Sequence, residues 1–142
     1  MFKDIDRFIK VPLRGKKIVL ETIFLLLLGR VLLLLPYKYM RYFLGDYNKT
    51  PEDQTVDIME CRRIGKYIRH IGDRMPWKCT CLVNAVAAKI MLRRRGIPAT
   101  VYFGMTRGES RKLIAHAWTK CGNFLVTGKD EEHEYKTVGY FS

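Results

Sequence analysis

Residues 79–98 read CTCLVNAVAAKIMLRRRGIP, and this stretch decides the fold. Cys79 or Thr80 can cap a helix that opens at Cys81. Leu82, Ala85, Val86, Ala88, Ile90, Met91 and Leu92 supply its apolar surface as far as Arg95. Gly96 is a natural helix end, and Ile97-Pro98 prevents continuation. Three strand candidates follow. Residues 100–105, TVYFGM, are rich in β-formers. Residues 112–121 form the second strand and contain Ala115-His116-Ala117-Trp118. Gly122-Asn123 is a two-residue turn into a third strand over 124–127. A helix followed by an antiparallel meander predicts an α+β core. The polar tail 128–142 reads as an edge segment or loop.

Upstream of this core, residues 44–51 read as a linker that ends in Pro51. A helix is expected over 55–71, with Val56, Met59, Ile64, Tyr67, Ile68 and Ile71 near helical spacing and Arg62, Arg63, Lys66 and Arg69 on other faces. Residues 72–77 read as a loop. The most apolar stretch is 18–35, IVLETIFLLLLGRVLLLL. Its length approaches the roughly 17–25 residues that span a bilayer. Glu21 and Arg30 interrupt it, and a charge at that depth costs a few kcal/mol. Pro36 stops the helix, and Tyr37, Tyr39, Tyr42 and Phe43 follow. Such a segment needs a cover. Three are open: burial by the domain or a partner, contact with a membrane surface, or a membrane span. The division expected is a basic, apolar helical extension over 1–50 and a catalytic domain over 51–142.

The chain has 142 residues and a formal net charge of +12, from 26 Lys and Arg against 14 Asp and Glu. Basic residues gather at 14–17, 62–69 and 93–95, a field that favours anionic partners or a solvated surface. No zinc finger, RNP-like aromatic motif or basic region running into heptads is present, so direct nucleic-acid binding is not expected. The start of the chain is mixed in charge and no small-residue cleavage site follows it, which points to a reducing, cytoplasmic setting and free thiols. The four cysteines are Cys61, Cys79, Cys81 and Cys121. Cys79-Thr80-Cys81 is too tight for the usual C-x-x-C redox or zinc pattern, and His70 and His133 have no partners at ligand spacing. Neither a metal nor a cofactor is expected.

Cys81 and His116 carry the chemistry. A nucleophilic cysteine acts as its thiolate. The first turn of a helix favours that anion through its unpaired N–H groups and the positive end of its dipole. An imidazole can pair with the thiolate and later protonate a leaving amine. A third polar group would orient the ring, and Asp130 lies just past the strand that neighbours His116. The bland alternative is a small core cysteine and a structural strand histidine.

The string Cys81-Leu82-x-x-Ala85, Met91-Leu92-Arg93-Arg94-Arg95-Gly96-Ile97-Pro98-Ala99, Phe103-Gly104 and Ala115-His116-Ala117-Trp118 resembles the leader peptidases (B proteins) of lasso peptide biosynthesis. The likeness is closest to the split form, in which protease and leader-binding module are separate chains. It is densest over residues 77–128. It implies a transglutaminase-like, papain-related cysteine protease core with a Cys–His–Asp triad: Cys81 as nucleophile, His116 as base and acid, and Asp130 as the third member. Cys79 is the rival nucleophile, but Leu82 and Ala85 fit the motif only when counted from Cys81. Gly128 stands nearer the family's Asp position, so Glu131, a carboxylate from elsewhere or a Cys–His dyad stay open. The implied partners are the precursor peptide, a separate leader-binding (recognition element) protein and an ATP-dependent macrocyclase. Segment 18–35 is then a docking face for one of them or for a membrane surface. Two other functions stay open: a non-catalytic basic adaptor or membrane-surface module, and a thiol redox or metal protein that uses Cys79 and Cys81.

Overall fold

The computed structural model describes residues 13–45, 57–76, 79–107, 113–122, 124–128 and 136–142. Among them lie four helices, α1 (Leu13–Leu32), α2 (Tyr37–Leu44), α3 (Ile58–Gly72) and α4 (Cys81–Arg94), then four strands, β1 (Thr100–Arg107), β2 (Leu113–Cys121), β3 (Phe124–Thr127) and β4 (Lys136–Phe141).

Local signals set both ends of α4. Thr80 is its N-cap, and the threonine hydroxyl accepts from the Val83 N–H at 3.4 Å. At the other end the Gly96 N–H donates to the Arg93 carbonyl at 3.1 Å and the Ile97 N–H to the Leu92 carbonyl at 3.0 Å. That pair of bonds is a Schellman motif. Between its ends α4 is buried on nearly every side, through Val83, Ala85, Val86, Ala87, Ala88, Met91 and Leu92. The alanines let neighbouring elements approach it closely. It is the axis on which α1, α3 and the sheet pack.

The sheet has the order β3-β2-β1-β4 and is antiparallel throughout. The meander read from the sequence is β1-β2-β3. Part of the polar tail, β4, returns to lie beside β1, so the whole is a Greek key. Alternation along β2 sends Ala117 and Thr119 toward α4, where the Thr119 hydroxyl donates to the Ala85 carbonyl at 3.0 Å. The α+β class expected from the sequence is the class observed.

The helices on the other side of α4 differ from expectation in detail. α3 begins at Ile58 because Asp57 caps it, accepting from the Glu60 N–H at 3.2 Å. It crosses β3 so closely that a Cβ on Gly65 would stand 2.5 Å from the Val126 carbonyl oxygen. α1 ends before Pro36 and lays Ile18, Thr22, Leu25, Leu26 and Leu32 into the core. Buried Leu25 and Leu26 join Cys61, Ile64, Val83, Met91 and Cys121 in one apolar cluster. Replacing one such leucine by alanine costs about 2–5 kcal/mol. The helix of the N-terminal extension therefore shares a core with α3 and α4.

The two charges that interrupt the apolar segment also have local explanations. Glu21 pairs with Arg95 at 2.8 Å and Arg94 at 3.0 Å, and Arg95 also reaches Glu60 at 3.3 Å. This network ties α1, α3 and the end of α4 together, so part of the basic run 93–95 is neutralised within the domain. Among the described residues no helix is long and apolar enough to cross a membrane.

Candidate active site

Cys81 is the first residue of α4 and is half-buried. The Thr80 hydroxyl takes up the Val83 N–H, and the Asn84 N–H begins the helical ladder on the Thr80 carbonyl at 3.0 Å. The N–H groups of Cys81 and Leu82 are those that a first helical turn leaves without a carbonyl partner. A thiol here lies at the positive end of the helix dipole.

His116 sits on β2, an interior strand, opposite Gly104 of β1. It belongs to a row of rings. His116 stacks on Trp118 with centroids 5.8 Å apart, and Trp118 stacks on Tyr102 at 5.9 Å. Tyr140 continues the row from Tyr102 at 5.9 Å. The register explains it, since Trp118, Tyr102 and Tyr140 are paired across three strands. The row holds the imidazole plane from one side. Gly128 lies against the same pair of rings, with a positive φ of 88°. A side chain there would put its Cβ 2.6 Å from that of Trp118 and 3.4 Å from His116 Nε2, so only glycine fits.

Cys81 and His116 line the same cavity, about 640 Å³ in volume, where the start of α4 meets β2, β3 and α3. Asn84 of α4, Arg69 of α3, Asp73 just past the end of α3, and Thr127 of β3 also line it. Asn84 Oδ1 and Thr127 Oγ1 are buried and have no hydrogen-bond partner among the described residues. Buried polar atoms ordinarily have partners, so these two are exceptions beside the cavity. Asp73 is the one carboxylate among the described lining residues.

The sequence reading therefore meets three outcomes. Cys81 and His116 both line one cavity. Asp130 and Glu131 lie outside the described residues, as does Trp77. Asn84, Arg69, Asp73 and Thr127 were missed. Asn84 had a signal, since it lies one helical turn after Cys81. The other three had none, because only the tertiary crossing of α3 over β3 carries them there.

The remaining thiols separate sharply. Cys61 and Cys121 are fully buried in the same apolar cluster. Burial pushes both thiols up from their ordinary range, the more so for Cys121. A thiol held protonated in this way is a poor nucleophile. Cys79 is half-buried beside Gly72, at the end of α3. None of the four cysteines forms a disulfide.

The family model that matches the chain is described as the transglutaminase-like superfamily, and it covers residues 25–139. No curated protein gives a significant match, and neither does any solved structure.

Proposed function

The chain belongs to the transglutaminase-like superfamily, and on that premise we propose that it is a cysteine protease that removes the leader peptide from a ribosomally made lasso peptide precursor. The observation that supports the reading most is that Cys81, at the start of α4, and His116, on an interior strand, line one cavity.

The chemistry follows from those positions. His116 takes the Cys81 proton, and the thiolate attacks the scissile carbonyl. The Cys81 backbone N–H, and that of Leu82 beside it, are placed to donate to the developing oxyanion. The imidazolium then gives its proton to the leaving amine, which is the new N-terminus of the core peptide. Water, deprotonated by His116, attacks the acyl-enzyme, and collapse returns the thiol with the leader's new carboxylate. A carboxylate orients the imidazole, with Asp130 and Asp73 as the candidates.

An open groove discriminates poorly among flexible peptides. A separate leader-binding protein would raise the local concentration of the correct bond. An ATP-dependent macrocyclase would then use the freed amine.

The test is direct. The protein is incubated with its genomically neighbouring precursor and leader-binding protein, and the products are read by mass spectrometry. One cut, lost in Cys81→Ala, is the expected result. Absence of any cut with verified partners would favour a non-catalytic basic adaptor.

A further inference from the structure

From Ile18 to Leu35 the chain is apolar on both faces of α1 apart from Glu21 and Arg30, yet the domain covers one side only. Leu20, Phe24, Leu27, Val31, Leu34 and Leu35 face solvent, with Phe24 63% and Leu34 78% exposed. From Leu20 to Leu34 the spacing alternates between four and three residues, so these side chains form one stripe along the helix and its end, with Leu35 directly after it. A helix that is apolar all round is ordinarily covered, and a contiguous apolar patch of this kind marks an interaction surface.

Among the described residues the charge around the stripe is mostly positive, with Glu21 and Glu60 beside Leu20 paired to arginines. Lys16 and Lys17 lie at its start, Arg30 beside it, and Lys38 and Arg41 just beyond it on α2. The only carboxylate on α1 is Glu21, which Arg94 and Arg95 hold. Tyr39 and Tyr42 continue the exposed apolar surface into α2. Tyr42 also lines a second cavity, about 670 Å³, together with Lys38, Arg41, Lys89 and Arg93. Among the described residues no Asp or Glu side chain lines that cavity, although Ser142, the last residue of the sequence, does. Lys89 is buried there and donates to the Ala99 carbonyl.

These features select one occupant. A second copy would bring two rims of like charge together in a chain of net charge +12. An anionic lipid surface answers both parts of the pattern. Its acyl boundary takes an aliphatic ridge lying in the plane, its headgroups take flanking cations, and tyrosines favour the level between them. We propose that residues 20–42 seat the protein on an anionic membrane surface. The α1 stripe enters the acyl boundary, and the cavity of Lys38, Arg41, Lys89 and Arg93 receives a phosphate headgroup. The proposal does not rest on the catalytic reading, because its test measures binding alone.

The experiment is vesicle co-sedimentation of the whole chain, with phosphatidylcholine vesicles and with vesicles that also contain phosphatidylglycerol. Binding to the anionic vesicles should be at least about tenfold stronger and should weaken as salt rises. Phe24→Ser with Leu27→Ser should lower it about tenfold or more with an unchanged circular dichroism spectrum, since both side chains are exposed. Lys38→Gln with Arg41→Gln, which leaves the stripe intact, should remove the preference for phosphatidylglycerol. Equal binding to both vesicles, or to neither, would overturn the proposal. So would a wild-type affinity in both double variants. A stripe that ignores lipid but binds the leader-binding protein would assign the surface to a protein partner instead.

Discussion

Two pairs of cysteines sit in this domain and meet opposite surroundings. Cys61 on α3 and Cys121 at the end of β2 close on each other in the core, without access to water. Cys79 and Cys81 flank the N-cap of α4, half-buried, and Cys81 borders a polar cavity. The side chain is the same in all four. Burial raises the thiol pKa of the first pair, whereas Cys81 stands at the positive end of a helix, on the wall of a cavity. Reactivity here belongs to position in the fold, and a count of cysteines says nothing about it.

The sharpest way to break that comparison is to remove one thiol at a time. Cys81→Ala should lower cleavage of the precursor by about a thousandfold or more, because no other group can form the acyl intermediate. Cys79→Ala should leave cleavage within about threefold of wild type, since Cys79 precedes the helix and is absent from the cavity wall. Equal losses in the two variants would point to a dithiol redox or metal site instead. His116→Ala should cost about a hundredfold to ten-thousandfold, the usual weight of a positioned acid and base. Precursor cleavage followed by mass spectrometry reads all three.

The third member of the site gives a smaller and more discriminating effect. Asp73→Asn and Asp130→Asn should be compared in the same assay. The residue that orients His116 should lose about tenfold to a thousandfold in kcat with little change in KM. The other should stay within about threefold.

What the sequence conveyed follows the same division between local and distant causes. α4 was legible because its cap, its apolar set and its Schellman end all lie within residues 80–97. β1, β2 and β3 were legible because β-rich runs and a Gly-Asn turn mark them. β4 was harder to read. Lys136, Thr137 and Val138 are exposed and only Gly139 and Phe141 are buried, so the strand lacks a clear alternating pattern. In residues 18–35 both faces are apolar, and the sequence could not say which one the domain would cover. The α3 side of the cavity was hidden for another reason. Arg69 and Asp73 reach it because Gly65 lets α3 lie against Val126, more than fifty residues away in sequence.

The buried pair can be perturbed in its own right. Cys121→Ser places a more polar hydroxyl among apolar neighbours and should destabilise the fold by about 1–3 kcal/mol. Denaturant unfolding measures it. Cleavage per folded molecule should be unchanged at a temperature where the variant stays folded. Iodoacetamide should modify Cys61 and Cys121 only as fast as the protein opens, while Cys81 reacts in the native state. Native-rate labelling of all four would erase the distinction between the pairs.

The smallest effect keeps the comparison clean in acid. Loss of chemistry and loss of fold would both lower activity, so the fold's own acid response must be known. Glu21 is its clearest source. The hydrogen bond from Arg95, with the Arg95 and Arg94 charges, outweighs desolvation and holds the Glu21 carboxyl below the usual carboxylate range. A depressed folded pKa contributes stability above the unfolded value, and that stability disappears as pH falls through the folded value. Glu21→Gln should therefore cost about 1–2 kcal/mol at neutral pH and progressively less below about pH 5. Urea unfolding of both proteins across pH 3–7 measures the difference. Convergence of the two curves in acid would identify this network as one acid-sensitive element of the fold, and any fall in cleavage above that range would then belong to the Cys81–His116 site. A constant gap between the curves would show that Glu21 acts through packing, and the acid response would have to be sought in another carboxylate.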